Sequence, residues 1–343
     1  MSETAPLLAL SMGDPCGIGP EMIAKAFTQP LPAPCVVVGD VAVMRRAVAA
    51  CDLQWPVAQL ELPEQARHAP PRCVAVWQPP GLPAGLAALP MGQVHADAGR
   101  AAIACIEAAA GLTLAGRTGA LVTAPVHKQA LAAAGSRFPG HTEMLQALAA
   151  AGGAQPEVRM MLGNDELRVV LVTIHVSLRQ AIEQLSVERI ATTITLAHAA
   201  GQRAGLATPR IAVAGLNPHA GEGGLFGDEE ARFIVPAIER ARGAGIDASG
   251  PYAPDTVFMR ARHAPGHPGE FDVVVAMTHD HGLIPVKYLG VERGVNVTLG
   301  LPFVRTSPDH GTAFDIAGRG LADPSSLLAA ISVAHELCGG VLR

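Results

Sequence analysis

Short, largely apolar runs that break off abruptly and give way to helical segments restrict the fold of this chain more than anything else. They include Leu7–Ser11, Cys35–Gly39, Gly119–Thr123, Leu167–His175, Ile211–His219, Phe271–Val275 and Val295–Leu299. Their residues are apolar and often β-branched at consecutive positions, the composition of strands buried on both faces. Between them lie helical stretches: Val41–Ala50, an alanine-rich segment from Gln93 to Leu114, one from Ser186 to about Ala204, and one from Pro324 to about Cys338. Ser186 suits an N-cap, with Glu188 in the first turn. Strands alternating with helices predict an α/β fold with mainly parallel sheets. Hydrophobic residues make up 49% of the chain but aromatics only 3%. Small aliphatic residues must therefore build the interior, which suits close packing of helix on sheet. The length of 343 residues predicts about two domains.

Three of these runs lead to histidines. LRVVLVTIH ends at His175, IAVAGLNPH at His219, and FDVVVAMTHDH carries His279 and His281 around Asp280. Open α/β sheets present ligand-binding groups just past the carboxyl ends of their strands. A single histidine there is ordinarily a hydrogen-bonded rim residue; three make that reading uncomfortable. Three neutral imidazoles suffice for a divalent cation with positions left open to substrate. Their spacing of about 45 to 60 residues is not a local zinc motif, so convergence in space is the expectation. Asp280 and His281 can move a proton or support a ligand from behind.

The formal net charge of −5, with no basic run, argues against nucleic acid as a partner. No apolar stretch is long enough for a membrane span. Met1–Leu10 lacks a basic region and a cleavage site, so no export signal is expected. The six cysteines form no C-x-x-C pair and read as reduced thiols of a cytoplasmic protein. Leu7–Ser11, the glycine loop Gly13–Glu21 and the following MIAKAF read as strand, glycine turn and helix. Met22 stands where the third glycine of a dinucleotide fingerprint belongs, so the loop is a weak phosphate candidate. Lys287 and Arg305, on residue type alone, read more readily as a surface ion pair than as a site.

Taken together, several segments resemble the 4-hydroxythreonine-4-phosphate dehydrogenase family. They are GDPCGIGPE, TAPVHK, FPGHTEML, the run ending at His175, LNPHAGEGGLFGDEE, MTHDHGLIPVK and RGVNVTLGLPFVRTSPDHGTAFDIAGRG, in family order from Gly13 to Gly320. The resemblance implies metal ligands at His175, His219 and His279. It implies substrate contacts at His141, Thr142, Lys287, Asn296 and Arg305. Asp309, His310, Gly311 and Thr312 look like the nucleotide-binding segment shared with isocitrate and isopropylmalate dehydrogenases. NAD or NADP would then bind without the usual fingerprint. The resemblance further implies two α/β domains, 1–130 with 306–343 and 131–305, with the active site in the cleft between them. It also implies a homodimer with its site at the interface.

The implied chemistry is metal-dependent oxidation of 4-phosphohydroxy-L-threonine to 2-amino-3-oxo-4-(phosphooxy)butanoate, then decarboxylation to 3-amino-2-oxopropyl phosphate, a step in pyridoxal phosphate biosynthesis. Imidazole donors suit zinc, cobalt or nickel better than magnesium. Lys287, Asp280 and His281 are the candidate proton acceptors. Three positions depart from the family: His281 for the usual glutamine, Thr278 for tyrosine, and Cys16 for alanine. Relatives in the family act on D-threonate and D-erythronate 4-phosphates, which remain alternatives; the intact GHTE argues against a terephthalate dihydrodiol. A three-histidine hydrolase or lyase without nucleotide is the reading from another class, and it leaves the DHGTA segment unexplained.

Overall fold

The computed structural model describes residues 5–150, 153–290 and 292–339. Met1–Thr4 of the stretch read for an export signal, and Ala151 of the helix expected after Glu143, lie outside them. The first part of the chain forms β1 (Leu8–Ser11), α1 (Gly19–Ala26), β2 (Cys35–Val38), α2 (Val41–Ala50), β3 (Val57–Leu60), β4 (Val74–Trp77), α3 (Ala96–Leu114), β5 (Ala120–Thr123), α4 (Lys128–Ala133) and α5 (His141–Ala149). The middle part forms β6 (Arg159–Gly163), β7 (Arg168–Leu171), α6 (Leu178–Glu183), α7 (Val187–Arg203), β8 (Ile211–Ala214), α8 (Val235–Gly243), β9 (Ala248–Tyr252), α9 (Val257–Ala261), β10 (Val273–Ala276), α10 (His279–Tyr288) and β11 (Val295–Leu299). The chain closes with β12 (Val304–Pro308) and α11 (Ser325–Leu337).

These elements form two compact units, Met1–Glu157 with Leu301–Arg343, and Val158–Gly300. In the first unit the strands run β3–β4–β2–β1–β5–β12, and every pairing is parallel. β1, β2 and β5 are buried at every position, as their unbroken apolar runs demand. In the second unit the order is β11–β6–β7–β10–β8–β9. β7, β10, β8 and β9 pair in parallel, while β6 is antiparallel to both its neighbours. The fold is α/β with mostly parallel strands, as the alternation predicts.

Local chemistry explains the helix starts. Asp40 caps α2 by accepting the Val43 N–H at 2.8 Å, and Ser186 caps α7 by accepting that of Arg189 at 3.2 Å. Pro20 sits in the first turn of α1, where a missing N–H costs nothing. α10 is anchored by Leu283 and Val286, buried in the core of the second unit against Leu171, Val274 and Ala276. Each such side chain contributes roughly 1.5–3 kcal/mol by burial, so the first residue of α10, His279, hangs from a fixed element.

The structure corrects several boundaries. β7, β8 and β10 stop at Leu171, Ala214 and Ala276, so His175 and His219 stand beyond the strands on the segments that follow, and His279 opens α10, rather than lying at the strand ends. Gly250–Asp255, read as a turn, is partly strand: β9 lies at the sheet edge, where glycine and proline are tolerated. β3, β6 and β12 carry too many polar or half-buried positions to stand out as apolar runs. The units divide at Glu157 and Gly300, not at residues 130 and 305, because α5 packs on α3. His141 and Thr142 therefore belong to the first unit. No helix among the described residues is long and apolar enough to cross a membrane.

α3 and α4 approach so closely that a Cβ on Gly99 runs into the carbonyl of Ala130. Gly99→Ala is therefore expected to cost roughly 1–3 kcal/mol through overpacking. Thermal unfolding checks this as a drop of several degrees in Tm.

Candidate functional site

In the second unit, β10 lies between β7 and β8 and runs parallel to both. The segments that follow these strands therefore leave one edge side by side, and each carries one of the three histidines, His279 as the first residue of α10. The rings of His175 and His279 stand 5.6 Å apart, tilted by 46°. The Nδ1 of His279 is 2.8 Å from Asp280 Oδ1, an imidazole–carboxylate pair of the kind that orients a ligand and leaves its Nε2 available. Asp280, a candidate proton acceptor, thus sits as a support for His279, its side chain 81% exposed.

His219 occupies an unusual backbone. From His219 to Gly223 every residue is left-handed, with φ of 52° at His219, 54° at Ala220 and 43° at Glu222. Left-handed helix costs roughly 1–2 kcal/mol per non-glycine residue. The glycines at 221, 223, 224 and 227 relieve part of that cost by accepting positive φ freely. The His219 ring packs 6.1 Å from that of Phe226. Among the described residues no set of three or more histidine, cysteine or acidic side chains lies close enough to hold a metal ion. So the fold brings His175 and His279 together and presents His219 from the neighbouring connection, without closing the three-donor set. The donors fit a borderline divalent cation in type.

Elsewhere in this unit, Lys287 is exposed in the last turn of α10, and Asn296 is half-buried on β11. His281 is half-buried, and its enclosed Nδ1 has no hydrogen-bond partner. Gly282 lets α10 sit against β7, because a Cβ there meets the Leu171 side chain.

In the first unit the central group is Arg305 on β12, only 3% exposed. Its Nη2 donates to Thr123 Oγ1 on β5 at 2.7 Å. Burial pulls the guanidinium pKa down to about 10, with the Glu143 carboxylate acting in the other direction. His141, at the start of α5, has its Nε2 enclosed and without a hydrogen-bond partner. Burial, and then the charge of Arg305, hold its pKa well below the ordinary 6.5, so it is neutral at pH 7. A desolvated cation beside a neutral imidazole is an arrangement suited to an incoming anion.

Asp309, His310, Gly311 and Thr312 follow β12 directly. His310 is engaged within the fold, with Nε2 2.8 Å from Ser326 Oγ and Nδ1 3.0 Å from the Gly311 carbonyl. The Thr312 carbonyl accepts the Ile18 N–H at 3.1 Å, joining this segment to the glycine loop. A Cβ on Gly17 stands 2.9 Å from Thr312 Cβ, so that glycine is required by close approach. Sequence reasoning missed Asp14, His127 and Phe314 beside this loop. Asp14 is buried and accepts the Cys16 N–H at 2.8 Å, and burial raises its pKa. The His127 ring stacks on Phe314 at 4.5 Å. The motifs GDPCGIGPE and TAPVHK contained the signal for two of them, but neither motif names a partner. Burial, and then Asp14, push the Cys16 thiol up to about 11. Native protein at neutral pH is expected to leave Cys16 unalkylated by iodoacetamide, read by mass spectrometry of the peptide.

A model for the family described as pyridoxal phosphate biosynthetic protein PdxA matches residues 31–334. The chain is 54% identical to 4-hydroxythreonine-4-phosphate dehydrogenase of Beijerinckia indica, over 96% of this chain and 94% of that one. It is 45% identical to D-threonate 4-phosphate dehydrogenase of Salmonella typhimurium, over 96% and 98% of the two chains. The crystal structure of 4-hydroxythreonine-4-phosphate dehydrogenase from Klebsiella pneumoniae superimposes with a TM-score of 0.87 at 43% identity, covering 98% of this chain and 99% of that one.

Proposed function

Since the chain belongs to the pyridoxal phosphate biosynthetic PdxA family, and is thereby a dehydrogenase acting on a CH–OH group, we propose that it oxidises 4-phosphohydroxy-L-threonine and that the product then loses carbon dioxide. Arg305 carries the substrate side of this reading. A guanidinium that is buried, bonded to Thr123 and flanked by a neutral His141 is suited to grip an oxyanion in two-point fashion. Thr142 and Asn296 add hydrogen-bonding capacity.

His175, His219 and His279 are the residues that hold a divalent cation in this reading, zinc, cobalt or nickel being favoured by nitrogen donors over magnesium. Such a cation lowers the pKa of a bound hydroxyl, and NAD or NADP on the Asp309–Thr312 segment supplies the hydride acceptor. The chain's own tasks are then positional. Asp280 orients the His279 ring, Arg305 and His141 hold the substrate anion, and Lys287 is the side chain we assign to accept the hydroxyl proton. Oxidation gives a 3-oxo acid, NADH and a proton. The new carbonyl accepts the electron pair of the breaking C–C bond, so carbon dioxide leaves with little further help.

Two further assignments belong to this reading. Leu225, Phe226, Ile284 and Tyr288 are exposed by 72%, 48%, 64% and 90% on the segments that follow His219 and His279. Exposed apolar side chains beside a site favour cover by another surface, and we assign that role to a second copy of the chain. Free cysteines throughout support a cytoplasmic setting.

The second reading is the same chemistry on D-threonate 4-phosphate, favoured by the 45% identity to the Salmonella enzyme. NADH formation with zinc, cobalt or magnesium, comparing 4-phosphohydroxy-L-threonine with D-threonate and D-erythronate 4-phosphates, decides between them. A preference for the amino acid supports the proposal. A preference for a sugar acid moves the substrate and keeps the chemistry. Reduction with none of them sinks the substrate class.

A further inference from the structure

A buried carboxylate that the chemistry above does not use closes the His219 turn. Glu230 is 5% exposed and begins a π turn, Glu230–Ile234, ahead of α8. Its Oε1 accepts the N–H groups of Leu216 and Asn217, both at 2.8 Å. Its Oε2 accepts Asn217 Nδ2 at 3.0 Å, and the same nitrogen donates to Glu229 Oε2 at 2.7 Å. The turn is fitted around these atoms. A Cβ on Gly221 stands 2.7 Å from Glu230 Oε2, and one on Gly215 stands 3.1 Å from Oε1.

Five consecutive left-handed residues, His219 to Gly223, do not hold that course by local preference. His219, Ala220 and Glu222 each resist it. Strained backbone persists where surrounding structure over-determines it. Here Glu230 fastens the start of the turn at residues 216 and 217 and lies where a Cβ on Gly221 would stand, alongside the Glu229 carboxylate on Asn217 and the Phe226 N–H that donates to the Gly221 carbonyl at 3.2 Å.

We propose that Glu230 is a positioning residue for His219, fixing the left-handed turn that presents its imidazole at the edge shared with His175 and His279. This rests on the reading of His219 as a metal donor. Glu230 touches neither metal nor substrate in this scheme; it acts through Asn217 and the turn. Replacing it by glutamine keeps the volume but sets an N–H₂ group where Asn217 already presents one, and the clamp loses an acceptor.

Equilibrium dialysis of the metal-stripped full chain against cobalt tests this, alongside thermal unfolding without metal. Wild type is expected to bind one cobalt per chain, and His219→Ala to lose that affinity. Glu230→Gln is expected to weaken cobalt binding by about 10–100-fold, the usual range for partners that orient a ligand, and to alter the visible absorption of the bound ion. A merely structural role predicts the reverse, a lower Tm with unchanged affinity and spectrum. Gly221→Ala, which pushes a Cβ against Oε2, is expected to weaken binding in the same way, and it decides alone if Glu230→Gln does not fold. If either folded variant binds cobalt as wild type does while His219→Ala does not, the role of Glu230 is wrong and the metal reading stands. If His219→Ala binds as wild type does, or wild type binds none, the metal reading falls and takes this inference with it.

Discussion

Arg305→Met is expected to abolish most activity while leaving the fold as stable as before, or more so. Arg305 is 3% exposed and burial has already pulled its pKa to about 10, so the folded protein bears a cost for keeping that charge out of water. Replacing buried ion pairs by apolar side chains of similar volume is often neutral or stabilising, by about 1–4 kcal/mol, and here the desolvation cost that methionine removes offsets the lost hydrogen bond to Thr123. The same change removes the charge-assisted hydrogen bonds available to a substrate oxyanion. At roughly 1.5–3 kcal/mol each, with two engaged, the loss is about 3–6 kcal/mol, or roughly 10²–10⁴-fold in kcat/KM. Thermal unfolding and steady-state kinetics on the same preparation separate the two effects. Arg305→Lys is not expected to restore activity, because an ammonium lacks the planar fork. Retained activity in Arg305→Met would remove the anion-binding role. A large fall in Tm instead would make Arg305 a structural residue that happens to be buried.

Much of this was legible in the sequence, for identifiable reasons. β1, β2, β5, β8 and β10 are buried on both faces, so every residue in them is apolar or small and the run announces itself. β9 and β3 lie at sheet edges, where half the surface faces outward and the pattern dissolves. The capped helices were legible because a side chain makes the cap: Asp40 for α2 and Ser186 for α7. The histidines were found by type and place along the chain. What could not be read was backbone conformation. Nothing in PHAGEGG states that five residues turn left-handed, although its glycines permit it. Nor does an arginine announce its own burial: Arg305 read as a surface cation until β12 placed it beside Thr123, and only the family resemblance took it for anything else.

An effect of similar size is expected at the histidines themselves. Structural zinc sites release roughly 10–16 kcal/mol over four ligands, so one donor accounts for about 3–4 kcal/mol and its loss for 10²–10³-fold in affinity. His175→Ala and His279→Ala are expected to lose cobalt or zinc by that factor, because their rings already stand together at 5.6 Å. Both changes lie outside the packed strands, and the His279 side chain is 38% exposed, so metal-free stability should hardly move. Asp280→Asn keeps the ligand but weakens its orientation, and about 10–100-fold is expected there. Activity should fall in the same order, and excess metal should restore Asp280→Asn but not the alanine variants. Metal content by emission spectroscopy, measured beside NADH formation, checks the ranking. Unchanged metal in all of His175→Ala, His219→Ala and His279→Ala would end the three-histidine site. Lost metal with full turnover would leave the site intact as a binder and remove the cation from the reaction.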